Sequence, residues 1–360
     1  MANIISIGTA LPANCHPQNE ILHFMQKAYR LDETEARKLA FLYRHSDIKQ
    51  RYSVIEDFCK PGEQWQFVQL NGHSNPTLND RMKIFHQYAL SLSVDSINDC
   101  INNIIDASEI THLITVSCTG MSAPGLDLEV AEALNLSPNV FRTSVNFMGC
   151  YAAIHALKIA KMICDSTSRA NVVIVCTELC TIHFQQEYTL DNAASSLLFG
   201  DGSAAVLVSN NISSSKRLKL KSFYSEVAYR GKTDMSWQLS NDGFLMTLSA
   251  YIPQLIKEDI HCFVHKALLA ADIKQEEITH WCIHPGGRKI LEVIQTKLGL
   301  SDQELSYSKD VLSEFGNMSS PTILFILKQM QQELNGVPAN VFGVAFGPGL
   351  TMETFIASKE

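Results

Sequence analysis

The chain repeats itself, and this duplication constrains its fold more than any other feature of the sequence. Residues 109–114 read Glu-Ile-Thr-His-Leu-Ile, and residues 277–282 read Glu-Ile-Thr-His-Trp-Cys. Three further pairs follow in the same order: Leu-Glu-Val at 128–130 and 291–293, Ala-Asn-Val at 170–172 and 339–341, and Phe-Gly-Asp-Gly at 199–202 with Phe-Gly-Pro-Gly at 346–349. One short match has little meaning, but four matches in one order predict two related halves.

Each half alternates short apolar segments with longer segments of helical period. The predicted strands are 112–118, 171–176, 204–208, 280–283, 341–345 and 352–357, and the predicted helices are 85–105, 126–134, 150–163, 252–271, 288–298 and 321–334. This alternation is typical of mostly parallel sheets covered by helices. Two such units packed back to back predict an α/β fold of five layers, α-β-α-β-α. Residues 1–209 form the predicted N-terminal half and residues 210–360 the C-terminal half, joined by the polar stretch 210–221.

Length and composition argue against several classes of protein. The 360 residues suit two fused cores better than one, and 46% hydrophobic with 18% charged residues is typical of globular proteins. A net charge of −8 gives no basic surface for nucleic acid, and no apolar run is long enough to span a bilayer. The ten cysteines are scattered, without the spacing of a zinc site. We therefore expect a reduced, cytoplasmic protein without disulfides, metal, nucleic-acid partner or membrane span.

Cys150 lies where a predicted strand and a tight glycine turn meet an Ala-rich helix. Unpaired backbone N–H groups and the helix dipole at such a position stabilise an anion, and they lower the pKa of a thiol from about 8.5. A thiolate placed there can attack a thioester or another carbonyl. The alternative is a small buried thiol, and the chain has nine other cysteines.

The duplication brings two more polar side chains toward Cys150. The residue that corresponds to Cys150 in the second half is Met318, so the neighbouring Asn317 lies at the matching helix start. His284 follows the predicted strand 280–283, which places it at the carboxyl edge of the sheet, where ligands bind. Considered alone, His284 would be interpreted as a surface or capping residue, and Asn317 as a residue that favours a turn. Their joint placement favours a Cys-His-Asn catalytic site.

Several motifs together resemble the type III polyketide synthases, the chalcone synthase-like enzymes of the thiolase fold. These motifs are Gly149-Cys150, His284-Pro285-Gly286-Gly287, Gly-Asn-Met-Ser-Ser at 316–320, Phe-Gly-Pro-Gly-Leu-Thr at 346–351, and residues 48–52 and 198–205. The resemblance extends over nearly the whole chain. Ketoacyl synthase III enzymes share the Cys-His-Asn set, but the Gly-Asn-Met-Ser-Ser run and the Gly-Pro-Gly signature favour the polyketide synthase branch.

The resemblance implies an acyltransferase that condenses CoA thioesters. Cys150, as a thiolate paired with a protonated His284, would take an acyl group from a starter acyl-CoA. His284 and Asn317 would then stabilise the enolate that forms when malonyl-CoA loses CO₂. That carbanion would lengthen the chain on Cys150, and repeated extension with cyclisation or lactonisation would give a pyrone, a resorcinol or a related product. Phe199 matches the gatekeeper aromatic residue of the family. Acyl-CoA and malonyl-CoA are substrates in this scheme, so no cofactor is expected.

Other cavity positions depart from the plant members of the family. Met246 replaces a second gatekeeper phenylalanine, and Trp237 falls near a small cavity residue. Further predicted cavity residues, several of them where plant enzymes place Thr and Ser, are Cys118, Thr119, Cys180, His183 and Ser319. Sulfur and methionine in place of hydroxyls suit a flexible aliphatic chain better than a phenylpropanoid. The run Met-Ser-Trp at 235–237 is similar to bacterial members that make alkylpyrones or alkylresorcinols, so we expect a bacterial-type enzyme.

A predicted helix at 33–43 is the expected site for the CoA phosphates. Lys38 matches one basic position of the family, whereas two others are occupied by Phe41 and His45. Arg37 and Arg44 lie nearby and would substitute for the missing cations. The alternative is an exposed helix face of mixed charge.

Two other functions remain open on the sequence. A ketoacyl synthase III-type enzyme would perform a single extension with malonyl groups from an acyl carrier protein, and a basic surface patch would favour it. A catalytically inactive scaffold is disfavoured because Cys150, His284 and Asn317 are all present. Enzymes of this fold typically pair, so the resemblance also implies a homodimer.

Overall fold

The computed structural model describes residues 1–68, 75–334 and 337–359 of the chain. The helices are α1 (Gln18–Ala28), α2 (Glu33–Arg44), α3 (Leu78–Ile101), α4 (Leu126–Ala133), α5 (Ala152–Ser166), α6 (Leu190–Leu198), α7 (Ile252–Ala270), α8 (Arg288–Leu298), α9 (Ser306–Phe315) and α10 (Thr322–Glu333). The strands are β1 (Asn3–Ala10), β2 (Asn14–Pro17), β3 (Gln50–Ser53), β4 (His112–Ser117), β5 (Phe141–Asn146), β6 (Asn171–Leu179), β7 (Asp201–Ser209), β8 (Leu218–Val227), β9 (Met235–Ser240), β10 (Gly243–Leu248), β11 (His280–Ile283), β12 (Ala339–Gly347) and β13 (Thr351–Lys359).

The two parts of the chain use the same strand order. Within the described residues, the main sheet has nine strands in the order β11-β12-β13-β8-β1-β7-β6-β4-β5. Strands β4, β6, β7 and β1 therefore correspond to β11, β12, β13 and β8. The repeated Glu-Ile-Thr-His segments make the same contact, because the N–H of Thr111 donates to Asn171 O and that of Thr279 donates to Asn340 O, both at 3.0 Å. The sequence repeat is thus also a structural repeat.

Helices α5 and α10 form a central layer between the two parts of the sheet. They pack against β6, β7, β11 and β13 through side chains such as Leu157 and Leu327, which are fully buried. Burial of each leucine contributes roughly 1.5–3 kcal/mol to stability. Two further apolar clusters lie on the outer faces, one under α3 and α4 and one under α7 and α8. Five layers result, in the order α-β-α-β-α.

The two parts of the sheet are connected, which differs from two separate sheets packed back to back. Strand β1 pairs with β8 through Asn3–Lys219 and Ile4–Leu218, so the hydrogen bonding continues from one repeat to the other. Because this ladder is only two residue pairs long, the two parts of the sheet still face each other across α5 and α10.

Three helix starts differ from the predictions. Helix α3 begins at Leu78 rather than at residue 85, because Thr77 and Asp80 form a capping box that satisfies the first backbone N–H groups. Helix α5 begins at Ala152, so Cys150 precedes the helix and does not open it. Helix α10 begins at Thr322, so Asn317 lies in the loop before it.

Among the residues that the structure covers, no helix is both long and apolar enough to cross a membrane. The same part of the chain contains no group of three or more His, Cys, Asp or Glu side chains arranged to hold a metal ion. The cysteines that it contains are all free thiols.

Candidate active site

Cys150 follows a sharp turn between β5 and α5. Phe147 has a φ of 57° and Gly149 a φ of 82°, so the chain enters the left-handed region twice just before the cysteine. A Cβ atom on residue 149 would lie 2.4 Å from Cδ of Pro348, so only glycine fits there. The Gly149 N–H also donates to Cys118 Sγ at 3.0 Å. The turn therefore fixes the backbone directly before the Cys150 thiol.

Asn317 approaches from the second repeat, in the loop between α9 and α10. Its backbone forms a parallel bridge with Phe199. The Asn317 N–H donates to Leu198 O at 2.9 Å, and the Gly200 N–H donates to Asn317 O at 3.0 Å. This bridge holds the asparagine and the predicted gatekeeper phenylalanine side by side.

The side chain of Asn317 is oriented toward Cys150. Its Oδ1 accepts the Ser319 N–H at 2.8 Å and lies 4.0 Å from Cys150 Sγ. Because Oδ1 is already engaged, the amide NH₂ is the group that can donate a hydrogen bond to a ligand.

His284 comes directly after β11, at the carboxyl edge of the sheet. Its backbone N–H donates to Val344 O at 2.9 Å, and the residue is 1% exposed. Neither ring nitrogen has a hydrogen-bond partner among the described residues. A buried polar group without a partner costs roughly 1–3 kcal/mol, so the ring is better explained by a ligand than by the fold.

These three side chains line the same cavity. Every catalytic and cavity residue predicted from the sequence also lines it: Cys150, His284, Asn317, Phe199, Met246, Cys118, Thr119, Cys180, His183, Trp237 and Ser319. The cavity has a volume of about 90 Å³. By the same measure, one water molecule needs roughly 10–15 Å³. The cavity therefore has room for several heavy atoms beside the Cys150 thiol.

Trp237 and His183 fasten the hairpin β9–β10 to one side of the cavity. Trp237 Nε1–H donates to Cys118 O at 2.7 Å. The His183 ring stacks on the Phe244 ring, with the two centroids 4.2 Å apart. Nε2–H of His183 donates to Thr119 O at 2.7 Å, and Nδ1 of His183 accepts the Phe244 N–H at 3.1 Å. Burial lowers the pKa of His183 to about 3, in agreement with a neutral ring. Because their polar atoms bond to backbone, both side chains present apolar surfaces to the cavity.

Glu178 is a buried residue of this site that the sequence analysis missed. Its carboxylate, on β6, accepts hydrogen bonds from the Cys118 N–H and the Thr119 hydroxyl at 2.9 Å, and from the Ser320 hydroxyl at 2.8 Å. Ser320 belongs to the second repeat, so the carboxylate joins two loops of the cavity wall. Burial raises the pKa of Glu178 to about 7. The available sequence signal was a charged residue inside an apolar strand-like run.

Burial also alters the ionisation that the sequence predicted for Cys150. It raises the pKa of the thiol to about 11; hydrogen bonding with Ser319 and Asn317 opposes this change, and the charge of Glu178 reinforces it. Burial lowers the pKa of His284 to about 3. Burial thus favours the uncharged form of each group, and the thiolate–imidazolium pair that the resemblance implies stays a prediction.

Alkylation of Cys150 by iodoacetamide is expected to accelerate about tenfold per pH unit between pH 7 and pH 9. A thiol with a raised pKa supplies thiolate in proportion to hydroxide over this range, so no plateau should appear. Mass spectrometry of the Cys150 peptide measures the rate, with the exposed Cys262 of the same molecule as an internal reference. A constant rate from pH 6 to pH 8 would instead indicate the thiolate–imidazolium pair.

The basic residues predicted for CoA lie on helix α2. Arg37 and Lys38 line the same surface pocket, and each pairs with a glutamate one turn earlier on the helix. Arg44 is not among the residues that line this pocket, and its Nε donates to Ala40 O at 3.2 Å. The structure thus brings together two of the three residues. Exposed ion pairs of this kind are weak, so both cations remain available to a phosphate.

A duplicated five-layer fold that brings a cysteine, a histidine and an asparagine to one cavity defines a class of protein, the thiolase-like condensing acyltransferases. The chain belongs to the chalcone and stilbene synthase family, because the family model of the N-terminal domain matches residues 1–211 and that of the C-terminal domain matches residues 220–359. It is a type III polyketide synthase, a CoA-dependent condensing enzyme. The family predicted from the sequence is confirmed.

Relatives align along nearly the whole chain. Type III polyketide synthase C of Arabidopsis thaliana is 29% identical, with 99% of this chain and 94% of that protein covered. The alpha-pyrone synthesis polyketide synthase-like Pks18 of Mycobacterium tuberculosis is also 29% identical, with coverage of 98% and 90%. Since a plant protein and a bacterial protein are equally identical to this chain, the expected bacterial type stays a prediction.

Solved structures agree with the predicted fold. The crystal structure of PKS-I from the brown alga Ectocarpus siliculosus has a TM-score of 0.91 at 27% identity, covering 99% of this chain and 98% of that one. The C-terminal type III polyketide synthase domain of Steely1, a type I/III hybrid from Dictyostelium, gives the same TM-score and identity with 99% of both chains covered. The thiolase-like architecture is therefore confirmed.

Proposed function

We propose that this enzyme extends an acyl group held on Cys150 by repeated decarboxylative condensation with malonyl-CoA. The observation that carries the proposal is the meeting of the Cys150 thiol, the Asn317 amide and the His284 ring at one cavity, where the ring has no hydrogen-bond partner among the described residues. The CoA thioesters supply the activation, so the proposal includes no metal or redox cofactor.

In the first step, Cys150 Sγ attacks the thioester carbon of the starter acyl-CoA, and the C–S bond to CoA breaks. The thiol proton passes to a ring nitrogen of His284, which then protonates the departing CoA thiolate. Burial of both groups favours such a transfer from an uncharged thiol to an uncharged ring. The products are an acyl thioester on Cys150 and free CoA.

In the second step, malonyl-CoA loses its carboxylate as CO₂, and the electrons of the broken C–C bond form an enolate. The His284 N–H and the Asn317 NH₂ donate to the enolate oxygen, and one such donor is typically worth roughly 10²–10³ in rate. The enolate carbon attacks the thioester on Cys150, the C–S bond breaks, and the thiolate takes up a proton. The chain, now two carbons longer and carried by CoA, returns to Cys150 for the next extension.

Phe199 is the proposed gatekeeper of this reaction. Its ring lines the cavity, and its backbone is bridged to Asn317. An apolar ring beside the malonyl carboxylate disfavours the charged group and keeps water from the enolate. We therefore assign Phe199 to the decarboxylation step.

The proposed starter is an aliphatic acyl-CoA. Three thioethers line the cavity, those of Met25, Met235 and Met246. Trp237 and His183 add apolar surface because their polar atoms bond to backbone. Thioethers and ring faces adapt to a flexible chain but offer no donor to a phenol. The relative Pks18 is named for alpha-pyrone synthesis, and we propose that this chain likewise releases a pyrone or a resorcinol.

Product analysis with a set of starters tests this proposal. Fatty acyl-CoAs with malonyl-CoA are expected to give products of several extensions by liquid chromatography and mass spectrometry. Their kcat/KM should exceed that of coumaroyl-CoA by about tenfold or more, since the thioethers and ring faces adapt to a flexible chain. A clear preference for coumaroyl-CoA would contradict the aliphatic starter. Release of a β-ketoacyl product after one extension would instead indicate a ketoacyl synthase III-type enzyme.

We also propose a homodimer. Among the described strands, β5 is the last of the sheet on its side, so its outer edge presents unpaired backbone groups unless another chain covers it. Phe141 on this strand is 61% exposed, and Met121, which shares a surface pocket with Ser144 of β5, is 55% exposed. A second copy of the chain would cover both features.

The proposal also includes three expectations from the sequence: the compartment, the CoA site and the boundary between the two halves. Free cysteines fit a reducing cytoplasm. Arg37 and Lys38 are proposed to meet the CoA phosphates, with pocket-lining Tyr188 beside them. The boundary between the two halves is proposed to follow Ser209, the last residue of β7.

A further inference from the structure

Arg51 is a buried arginine that has no part in the steps proposed above. It belongs to β3 and is 2% exposed. Its Nη1 donates to the carbonyl oxygen of Phe199, and its Nε donates to Gln18 Oε1 at 3.0 Å. Gln18 is held in turn, because its Nε2 donates to Leu197 O at 2.9 Å. Gln18 therefore holds the guanidinium in place, and the guanidinium in turn holds the backbone of the gatekeeper residue Phe199.

The stem of Arg51 also packs against the loop that carries Asn317. A Cβ atom on residue 316 would lie 2.7 Å from Arg51 Cδ and 2.8 Å from its Cγ, and Gly316 has a φ of 66°. Glycine thus lets the loop lie directly on the arginine stem. Since Asn317 is bridged to Phe199, the same arginine contacts both of the segments that form this bridge.

The burial of this cation indicates a specific task. Asp201 is buried close enough for its charge to act on Arg51, yet its oxygens accept the N–H groups of Val54 at 2.9 Å and Thr181 at 2.8 Å. A buried cation is costly unless its hydrogen bonds are well made, and an apolar side chain would fill the same space at lower cost. What arginine adds is a donor aimed at the Phe199 carbonyl, whereas its Nη2 has no hydrogen-bond partner among the described residues.

We infer that Arg51 is a positioning residue for the malonyl half of the reaction. It fixes the Phe199 carbonyl and supports the Asn317 loop, so it sets the separation between the gatekeeper ring and the amide donor. The inference rests on the proposed function, in which Phe199 and Asn317 act on malonyl-CoA. Arg51 lines the same cavity, but Cys150 belongs to a different loop, so we expect transfer of the starter to Cys150 to depend on Arg51 much less than decarboxylation does.

Two partial reactions of the full-length enzyme test this role. Arg51→Met keeps the stem and removes the donors, whereas Arg51→Lys keeps the charge and a donor. Lys49→Met is the matched control, because the exposed Lys49 side chain pairs with Glu314 at 3.2 Å near the same strand. Intact mass spectrometry measures starter loading on Cys150, and CO₂ release from malonyl-CoA is measured separately and normalised to the fraction of enzyme that can be loaded.

For Arg51→Met, CO₂ release should fall roughly 10- to 100-fold while the rate of loading changes less than about threefold. Arg51→Lys should recover part of the lost decarboxylation, and Lys49→Met should match the wild type in both reactions. Parallel loss of both reactions in the two Arg51 variants, or loss of neither, would overturn the inference. If the wild-type enzyme released no CO₂ from malonyl-CoA, the proposed function itself would fail.

Discussion

Replacement of Cys150 by alanine is expected to reduce polyketide formation by at least about 10³-fold. Alanine offers no nucleophile, so the starter cannot be held as a thioester beside the enolate. The change leaves the preceding turn intact, including the hydrogen bond from the Gly149 N–H to Cys118 Sγ. Product formation from a fatty acyl-CoA and malonyl-CoA is the first readout, and the mass of the starter adduct on the intact protein is the second.

The matched control is Cys164→Ala, which removes a buried thiol from helix α5 at a position that does not line the cavity. This variant should form product and carry the starter adduct. Cys150→Ala itself should still release CO₂ from malonyl-CoA, because His284 and Asn317 rather than sulfur stabilise the enolate. Product formation at the wild-type rate by Cys150→Ala would show that the nucleophile is another residue.

Asn317→Asp is expected to slow CO₂ release from malonyl-CoA roughly 10²- to 10³-fold. The two side chains have the same shape, and a carboxylate oxygen would still accept the Ser319 N–H. The second oxygen, however, would replace the amide donor and place a negative charge beside the developing enolate. A lower rate of CO₂ release would therefore be caused by the missing donor and the added charge, and not by a rearranged loop.

Asn139→Asp makes the same chemical change on an exposed residue and should behave as the wild type. Loading of Cys150 by the starter should be largely retained in Asn317→Asp, which shows that the cavity is still formed. Equal losses of loading and of CO₂ release would mean that the amide has no specific part in decarboxylation.

Elements with strong local signals could be predicted from the sequence. Strand β11 and helix α8 have the predicted bounds, 280–283 and 288–298. Helix α8 has buried side chains at Ile290, Leu291 and Ile294, a helical spacing, and it ends where Gly299 adopts a left-handed φ of 68°. Each of these features depends on residues that lie close together in the sequence. Cys150 and His284 were likewise found from local patterns, and Asn317 was found from the duplication, which is visible in the sequence.

Features that depend on packing between distant segments could not be predicted. The sequence pointed to a helix N-terminus that lowers the pKa of Cys150, whereas burial by surrounding segments raises it. Trp237 and His183 were placed at the cavity, but the engagement of their polar atoms depends on how the hairpin β9–β10 docks. Glu178 and Arg51 escaped assignment because their partners lie far away along the chain.

The hydrogen bond from Ser320 to Glu178 ties a loop of one repeat to a strand of the other. Together with the bridge between Phe199 and Asn317, it means that the candidate reaction centre lies along the seam between the two repeats. Neither repeat holds all three side chains, because Cys150 belongs to the first repeat and His284 and Asn317 belong to the second. Separation of the repeats would therefore dismantle the site even if each repeat kept its own fold.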